Sequence, residues 1–463
     1  MLRIVTTISA LLAGVALLLM GTGLLNTLVP LRGEAEGFSD QALGFFGSAY
    51  FAGFILGSWL CPRWIRHMGH IRAFAFFAAA TAGCVILHVM LVKMPFWLLL
   101  RFATGVALVG VYTAIESWLN SGSPPDQRGR VFSVYMVVNL AALALSQQLL
   151  QVENPLVNLR FGISAFFIIV AVMPVAATRI PQPEITDTPG LSLKVIWTAA
   201  PVAFAGAVLS GLAMGAFWGL CAIYAGRMGM DTGQIASFMS LAIIGGALFQ
   251  WPMGMISDRI DRRLAVAMVA GLAAFGGVLM AVTGVAGSGL LLGVAIFGAG
   301  SFAVYPTVVA HLIDHLSKED VLAGSAGILL LHGIGSAVGP AVAGLLMGAT
   351  SALMLPLYFV LMFTLCAVFS LYRWRNIRDR IVEEPAHQIG MVHTTSPEVL
   401  EMVVDEQKPD EPIEPDGPLE PFEQEESFEP EDPFKPEDPL EPKDPLEPKD
   451  PFDPRSPSDR GES

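Results

Sequence analysis

The chain has 463 residues, of which 53% are hydrophobic and 15% charged, with a formal net charge of −14 at pH 7. A mean hydropathy of +0.58 is more than a water-soluble domain can bury, so an ordinary soluble enzyme or binding module is excluded in favour of a membrane protein. The charge is divided: residues 381–463 carry 26 acidic and 6 basic side chains, whereas the preceding 380 carry 15 and 21.

About 20 apolar residues cross a bilayer as a helix. Twelve runs satisfy that length, at 5–30, 42–62, 73–92, 96–118, 131–151, 160–179, 199–225, 234–256, 264–284, 288–312, 324–347 and 351–373. The first follows Arg3 as a signal peptide would, but it outruns an apolar signal core of roughly 7–15 residues, so it reads as a retained span. Residues 4–380 repeat one six-span unit with an offset of 192 or 193: Tyr112 with Tyr305, Trp59 with Trp251, Gly37 with Gly229. Duplicated helical bundles are a common plan of secondary transporters, with the path between the halves. The predicted organisation is a six-helix bundle at 1–179, a cytoplasmic linker with a short interfacial turn at 180–198, a second bundle at 199–380 and a disordered acidic, Pro-rich tail at 381–463. In the tail a six-residue unit recurs from Asp432 (DPFKPE, DPLEPK, DPLEPK, DPFDPR), which suits a spacer or the docking of a protein partner.

Placing the N-terminus inside puts 16 loop and flanking Lys/Arg on the inner side and 4 (Arg32, Lys93, Arg160, Arg227) on the outer. Both termini are therefore expected to be cytoplasmic. The four cysteines lie in apolar runs without metal-ligand spacing and read as small buried hydrophobes. No Walker loop, zinc pair, Ser–His–Asp set or nucleic-acid-binding stripe is present, so no cofactor, metal or nucleic-acid partner is expected, and an intramembrane enzyme lacks its constellation.

Several motifs carry more. The loop after span 8 runs Gly254-Met-Ile-Ser-Asp258-Arg259-Ile-Asp261-Arg262-Arg263. Its counterpart after span 2 keeps Gly69 and Arg72 but has Pro62 for the first glycine and Arg66 for the acid. Span 4 opens Arg101-Phe-Ala-Thr-Gly105, with Arg101 about 9 Å of helix beyond Pro95, inside the bilayer. An intramembrane arginine is costly unless it faces water or a partner. Span 11 holds the glycine run Gly333 to Gly344 with Pro340, which suits close helix packing around a proline bend.

The loop, the span-4 motif and the six-plus-six repeat resemble the major facilitator superfamily (MFS) over residues 5 to about 375. The strings LNTLVPL (25–31), ESWLNSG (116–122) and GRVFSVYM (129–136) look closest to its YcaD-like bacterial permeases. The resemblance implies an all-α membrane protein of 12 transmembrane helices in two pseudo-symmetric bundles, in the bacterial inner membrane. It also implies a role in proton coupling or substrate handling for Arg101. It makes Gly254, Asp258, Arg259, Arg262 and Arg263, with Arg66, Gly69 and Arg72, a cytoplasmic gate. Glu116, near Arg128 and Arg130, would supply the acid that the first loop lacks.

The repeat pairs Asn139 with His332, both polar in apolar runs, as candidates for a shared cavity. Asn26, Tyr50, Tyr112, Gln147, Gln250 and Tyr305 either line the path or tie helices together. The functional expectation is a secondary transporter moving a small molecule by alternating access. A proton is its coupling ion, Arg101, Glu116 and His332 its coupling candidates, and efflux is preferred because the path has few fixed charges. The alternative is a non-transporting membrane sensor or scaffold that recruits partners through its tail.

Overall fold

The computed structural model describes residues 2–123, 127–152, 158–177, 193–283, 287–317 and 320–376. Most of the expected linker and the whole acidic tail fall outside these residues. Regular structure among the described residues is helical: α1 (Leu2–Ala35), α2 (Asp40–Met68), α3 (His70–Met90), α4 (Met94–Gly122), α5 (Arg128–Gln148), α6 (Leu159–Val170), α7 (Val172–Ala176), α8 (Leu193–Ala199), α9 (Pro201–Arg227), α10 (Thr232–Ser257), α11 (Arg262–Thr283), α12 (Ser288–Ile313), α13 (Val321–Ala349) and α14 (Met354–Asn376). In hydrocarbon every backbone N–H and C=O must be satisfied within its own segment, which a helix does.

Twelve of these segments are long and apolar enough to cross a bilayer, in the positions the sequence predicts. The sixth is α6 and α7 joined by a turn at Ala171, next to Pro174, whose missing N–H interrupts the helical ladder there. Short α8 occupies the end of the expected linker, and its buried Ile196 lies against Gly327 of α13. The outer surface is apolar: Trp59 and Trp251, at equivalent places of the repeat, are 64% and 74% exposed, as suits side chains facing lipid.

The repeat is visible in backbone detail. Gly37 and Gly229 end the first helix of each half with φ of +79° and +88°, a left-handed region that favours glycine. Two residues later Ser39 and Asp231 cap α2 and α10, the latter through a reciprocal capping box with Gln234. Within the first half Gly53 lies on the backbone of Phe102, and Gly105 on the carbonyl of Tyr50. Within the second half Gly245 meets Ala295 and Gly298 meets the carbonyl of Ala242 at the equivalent positions. Both crossings bring helix backbones into contact through small residues.

The glycine run of span 11 packs as expected. Gly335 and Gly339 lie against the Val208 and Leu212 carbonyls of α9. Further along α13, Pro340 presents its carbonyl to Gly44 of α2, and Gly344 meets the carbonyl of Asp40. The halves are also joined by a hydrogen bond from the Ala341 amide to Ser48 Oγ (3.1 Å) and from Ser240 Oγ to the Ala144 carbonyl (2.9 Å), with Gln148 Nε2 on Ser240 Oγ (2.7 Å). These contacts sit towards one end of the bundle, where α1 ends and α2 begins. At that end Arg227 of α9 donates to Glu34 (2.7 Å) and to Asp40 (2.8 Å), closing an ion cluster across the halves.

Candidate substrate cavity and gates

Arg101 lies two turns into α4, about 10 Å of helix from Met94. The Gly53 and Gly105 contacts draw α4 onto α2, which sets the guanidinium over the Tyr50 ring with 4.5 Å from Cζ to the centroid. Its Nη2 donates to Asn26 Oδ1 of α1 at 3.2 Å. Its Nη1 has no hydrogen-bond partner among the described residues, although Arg101 is only 5% exposed.

These three side chains line a cavity of about 630 Å³, counting the space at its mouth. α1 also contributes Leu19 and Thr22, α2 Phe46 and Phe51, α4 Tyr112, α5 Leu143, and α9 of the other half Trp218 and Gly219. Arg101 is the one charged side chain in that lining. Of the expected path residues the structure therefore brings together Asn26, Tyr50, Arg101 and Tyr112.

The others lie elsewhere. Glu116, one turn beyond Tyr112 on α4, is 1% exposed and accepts a 2.6 Å hydrogen bond from the Tyr135 hydroxyl of α5. Asn139 donates to the Tyr135 carbonyl of its own helix at 2.9 Å. His332 sits in the second half with its Nδ1 3.2 Å from Ser210 Oγ and its ring 4.6 Å from that of Tyr305. Asn139 and His332 are both buried, and the hydrogen bonds described for them, to the Tyr135 carbonyl and to Ser210, lie within their own halves. Gln147 bonds Thr27 and the Gly23 carbonyl of α1, and Gln250 the Phe302 carbonyl of α12, so both tie helices together.

At the other end of the bundle the second-half loop is an ion network. Arg262 donates from Nε to Asp314 (2.9 Å) at the end of α12, and from Nη1 to Asp258 (2.8 Å) and Ser257 (3.0 Å). Asp258 also donates its amide to the Gly254 carbonyl (3.0 Å), continuing the last turn of α10. Asp261, which stands where the first half has Gly69, caps α11 by accepting from the Arg263 amide (2.9 Å) and guanidinium (3.0 and 2.7 Å). Burial works to raise the Asp261 carboxyl, but the hydrogen bonds and charge of Arg263 prevail and hold it below the usual carboxylate range. Arg259 is exposed. In the first half Gly69 turns the chain with φ +80°, while Arg66, Arg72 and Arg130 are exposed at the surface.

Sequence reasoning missed three features. Trp218 gives the cavity its wall from the second half. Asp314 completes the Arg262 network. The Glu34–Asp40–Arg227 cluster closes one end, and its sequence signal was an acid and a base 193 positions apart, at equivalent points of the repeat.

The family model of the Major Facilitator Superfamily matches residues 11–320 and 203–422. The chain is 28% identical over 372 residues to an MFS-type transporter YcaD of Escherichia fergusonii, described as uncharacterized, covering 80% of this chain and 95% of that one. Two solved structures share the fold at 14% identity. The nucleoside transporter NupG (D323A mutant) superposes with a TM-score of 0.66 over 79% of this chain and 98% of its own. A bacterial homologue of the human lysosomal transporter Spinster, inward-facing and occupied, gives 0.65 over 81% and 98%.

Proposed function

The chain belongs to the Major Facilitator Superfamily, and from that premise we propose that it is a proton-coupled secondary transporter working by alternating access. It is a multi-pass transmembrane transporter and not an enzyme. The observation that carries the finer reading is a cavity walled by both halves, beneath cross-half contacts concentrated at one end. A path that is tied shut on one side of a central site is one state of a two-state cycle. The basic-residue bias assigns the tied end to the outside, both termini to the cytoplasm and this state to inward-facing. Glu116, buried and held by Tyr135 on the same helix as Arg101, is the carboxylate placed to carry the proton. Export is preferred to uptake because the cavity walls are mostly apolar.

Four buried native cysteines leave introduced ones to be labelled selectively. Spin labels at His67→Cys with Ser317→Cys report one end of the bundle, and labels at Lys93→Cys with Ser351→Cys the other. All four positions are exposed. The distance populations of the two pairs should change reciprocally between pH 6 and pH 8, and Glu116→Gln should abolish the pH response while leaving both states populated. Distances that ignore pH in the parent chain would remove proton coupling, and an unaltered response in Glu116→Gln would remove Glu116.

A further inference from the structure

We infer that the cavity takes a small monoanion, a carboxylate carried on an apolar and largely aromatic body, with the carboxylate docked on Nη1 of Arg101. The inference rests on the transport reading only in calling this molecule the substrate; the anion site stands on the geometry alone.

An arginine side chain keeps its charge in proteins, so burial cannot be relieved by losing a proton. A buried charge is tolerated when it is paired or hydrogen-bonded. What surrounds Arg101 is neutral: the Asn26 carbonyl oxygen on Nη2 and the face of Tyr50 below the guanidinium. Nη1 is buried and has no hydrogen-bond partner among the described residues, and the side chain it belongs to lines the cavity. Among the described residues no acid lines the cavity to answer the charge. The acid of the same helix, Glu116, is 15 residues further on, about 22 Å of rise, and already bonded to Tyr135. The cavity is thus a site with a fixed positive charge and an unsatisfied donor at its wall, which a ligand carboxylate, reached by a small turn of the guanidinium, completes at both counts.

The walls describe the rest of the ligand. Phe46, Tyr50, Phe51 and Tyr112 come from the first half, and Trp218 from the second. Aromatic side chains from both halves suit a ligand that carries a ring rather than a lone ion. The polar recognition is one-sided, since the repeat places Val294 and Ala242, both buried, where the first half has Arg101 and Tyr50. The head group therefore binds the first half, while the body reaches Trp218 in the second. A ligand that bridges the halves in this way interacts differently with the two states, which is the condition for it to shift them.

Calorimetric titration of the purified full chain with three probes of one shape tests the assignment: 2-naphthoate, neutral 2-naphthamide and cationic 2-naphthylmethylammonium. The parent chain should bind the carboxylate at least about tenfold more tightly than the amide, with the cation weakest, as one charge-assisted hydrogen bond implies. Arg101→Gln should bring carboxylate and amide within about twofold of each other, and Arg101→Lys should keep part of the preference, because it restores the charge without the fork. The order in the parent chain is a test in itself, independent of whether a variant folds. Tighter binding of the amide or the cation, no binding of any probe, or an intact preference in folded Arg101→Gln would each overturn the inference. A chain that ranks the probes as expected while its labelled ends never move would keep the anion site and lose the transport cycle. A chain that moves but ignores probe charge would do the reverse.

Discussion

The same helix crossing occurs twice in this molecule with different contents. In the first half Gly53 and Gly105 seat α4 on α2, and in the second Gly245 and Gly298 seat α12 on α10. Beside the first crossing lie Tyr50 and Arg101; at the equivalent places of the second are Ala242 and Val294, both fully buried. The small residues fix how closely two helices approach, and any change there moves backbone. The neighbouring positions bear no such duty, so they can differ between the copies. One half has kept the crossing as plain packing. The other uses it to hold a guanidinium over a ring at 4.5 Å, in a cavity that the packed half closes with Trp218. Pairs that maintain the scaffold should then respond alike to substitution, and pairs that carry chemistry should not.

The largest expected contrast is between Arg101→Gln and Val294→Ala. Arg101→Gln should lower transport on the order of 100-fold while the protein still inserts and elutes as one species, since it removes a charge-assisted contact from the cavity. Val294→Ala should cost about 2 kcal/mol of stability through two lost methyl groups in a packed crossing, with transport unchanged. Flux measured in proteoliposomes, beside melting of the same preparations, separates the two. Equal losses of flux would erase the asymmetry between the halves.

A second contrast concerns a pair that is equivalent by repeat yet joined in space. Glu34 and Arg227 occupy matching places at the ends of α1 and α9 and meet across the halves, with Asp40 as the second acceptor. The cluster is partly exposed, with 31% of the Arg227 side chain open to solvent, so it holds the end shut with only about 1 kcal/mol. Arg227→Ala should accordingly shift the ratio of the two states by about fivefold towards the form open at that end. Distances between labels at Lys93→Cys and Ser351→Cys measure it. A population that does not move would mean that the glycine contacts around Gly44 and Gly344 hold this end without help from the ions.

How much of this was legible in the sequence follows from what each feature depends on. Twelve spans and the duplication were legible because apolar length and a fixed offset are properties of the chain alone. Arg101 stood out because a charge in an apolar run is itself a signal. The composition of the cavity was hidden, since it depends on helix rotation and crossing. Tyr112 and Glu116 are one turn apart on α4, yet Tyr112 lines the cavity and Glu116 bonds α5. Asn139 and His332 match in the repeat, yet the first bonds the Tyr135 carbonyl of its own helix and the second lies against Ser210 of α9, because matching positions share a scaffold and not a neighbour. Trp218 gave no polar signal at all, and Asp314 joins the Arg262 ion network from 52 residues further along the chain.

The smallest expected effect tests the scaffold most directly. Gly37 and Gly229 hold φ of +79° and +88° at the ends of α1 and α9, and a methyl group added at either would meet no atom within 4 Å. Space is therefore not at issue, and the cost of alanine is the backbone term alone, about 1 kcal/mol for a residue held in the left-handed region. Gly37→Ala and Gly229→Ala should each lower the melting temperature by about 2 °C, and because they lie in different halves the double variant should lose the sum. Equal and additive losses are what two copies of one turn require. If one variant melted like the parent and the other fell by much more, the two turns would differ in what they hold. The extra loss would then locate a contact at the Arg227 end that serves closure of the pathway as well as the shape of the bundle.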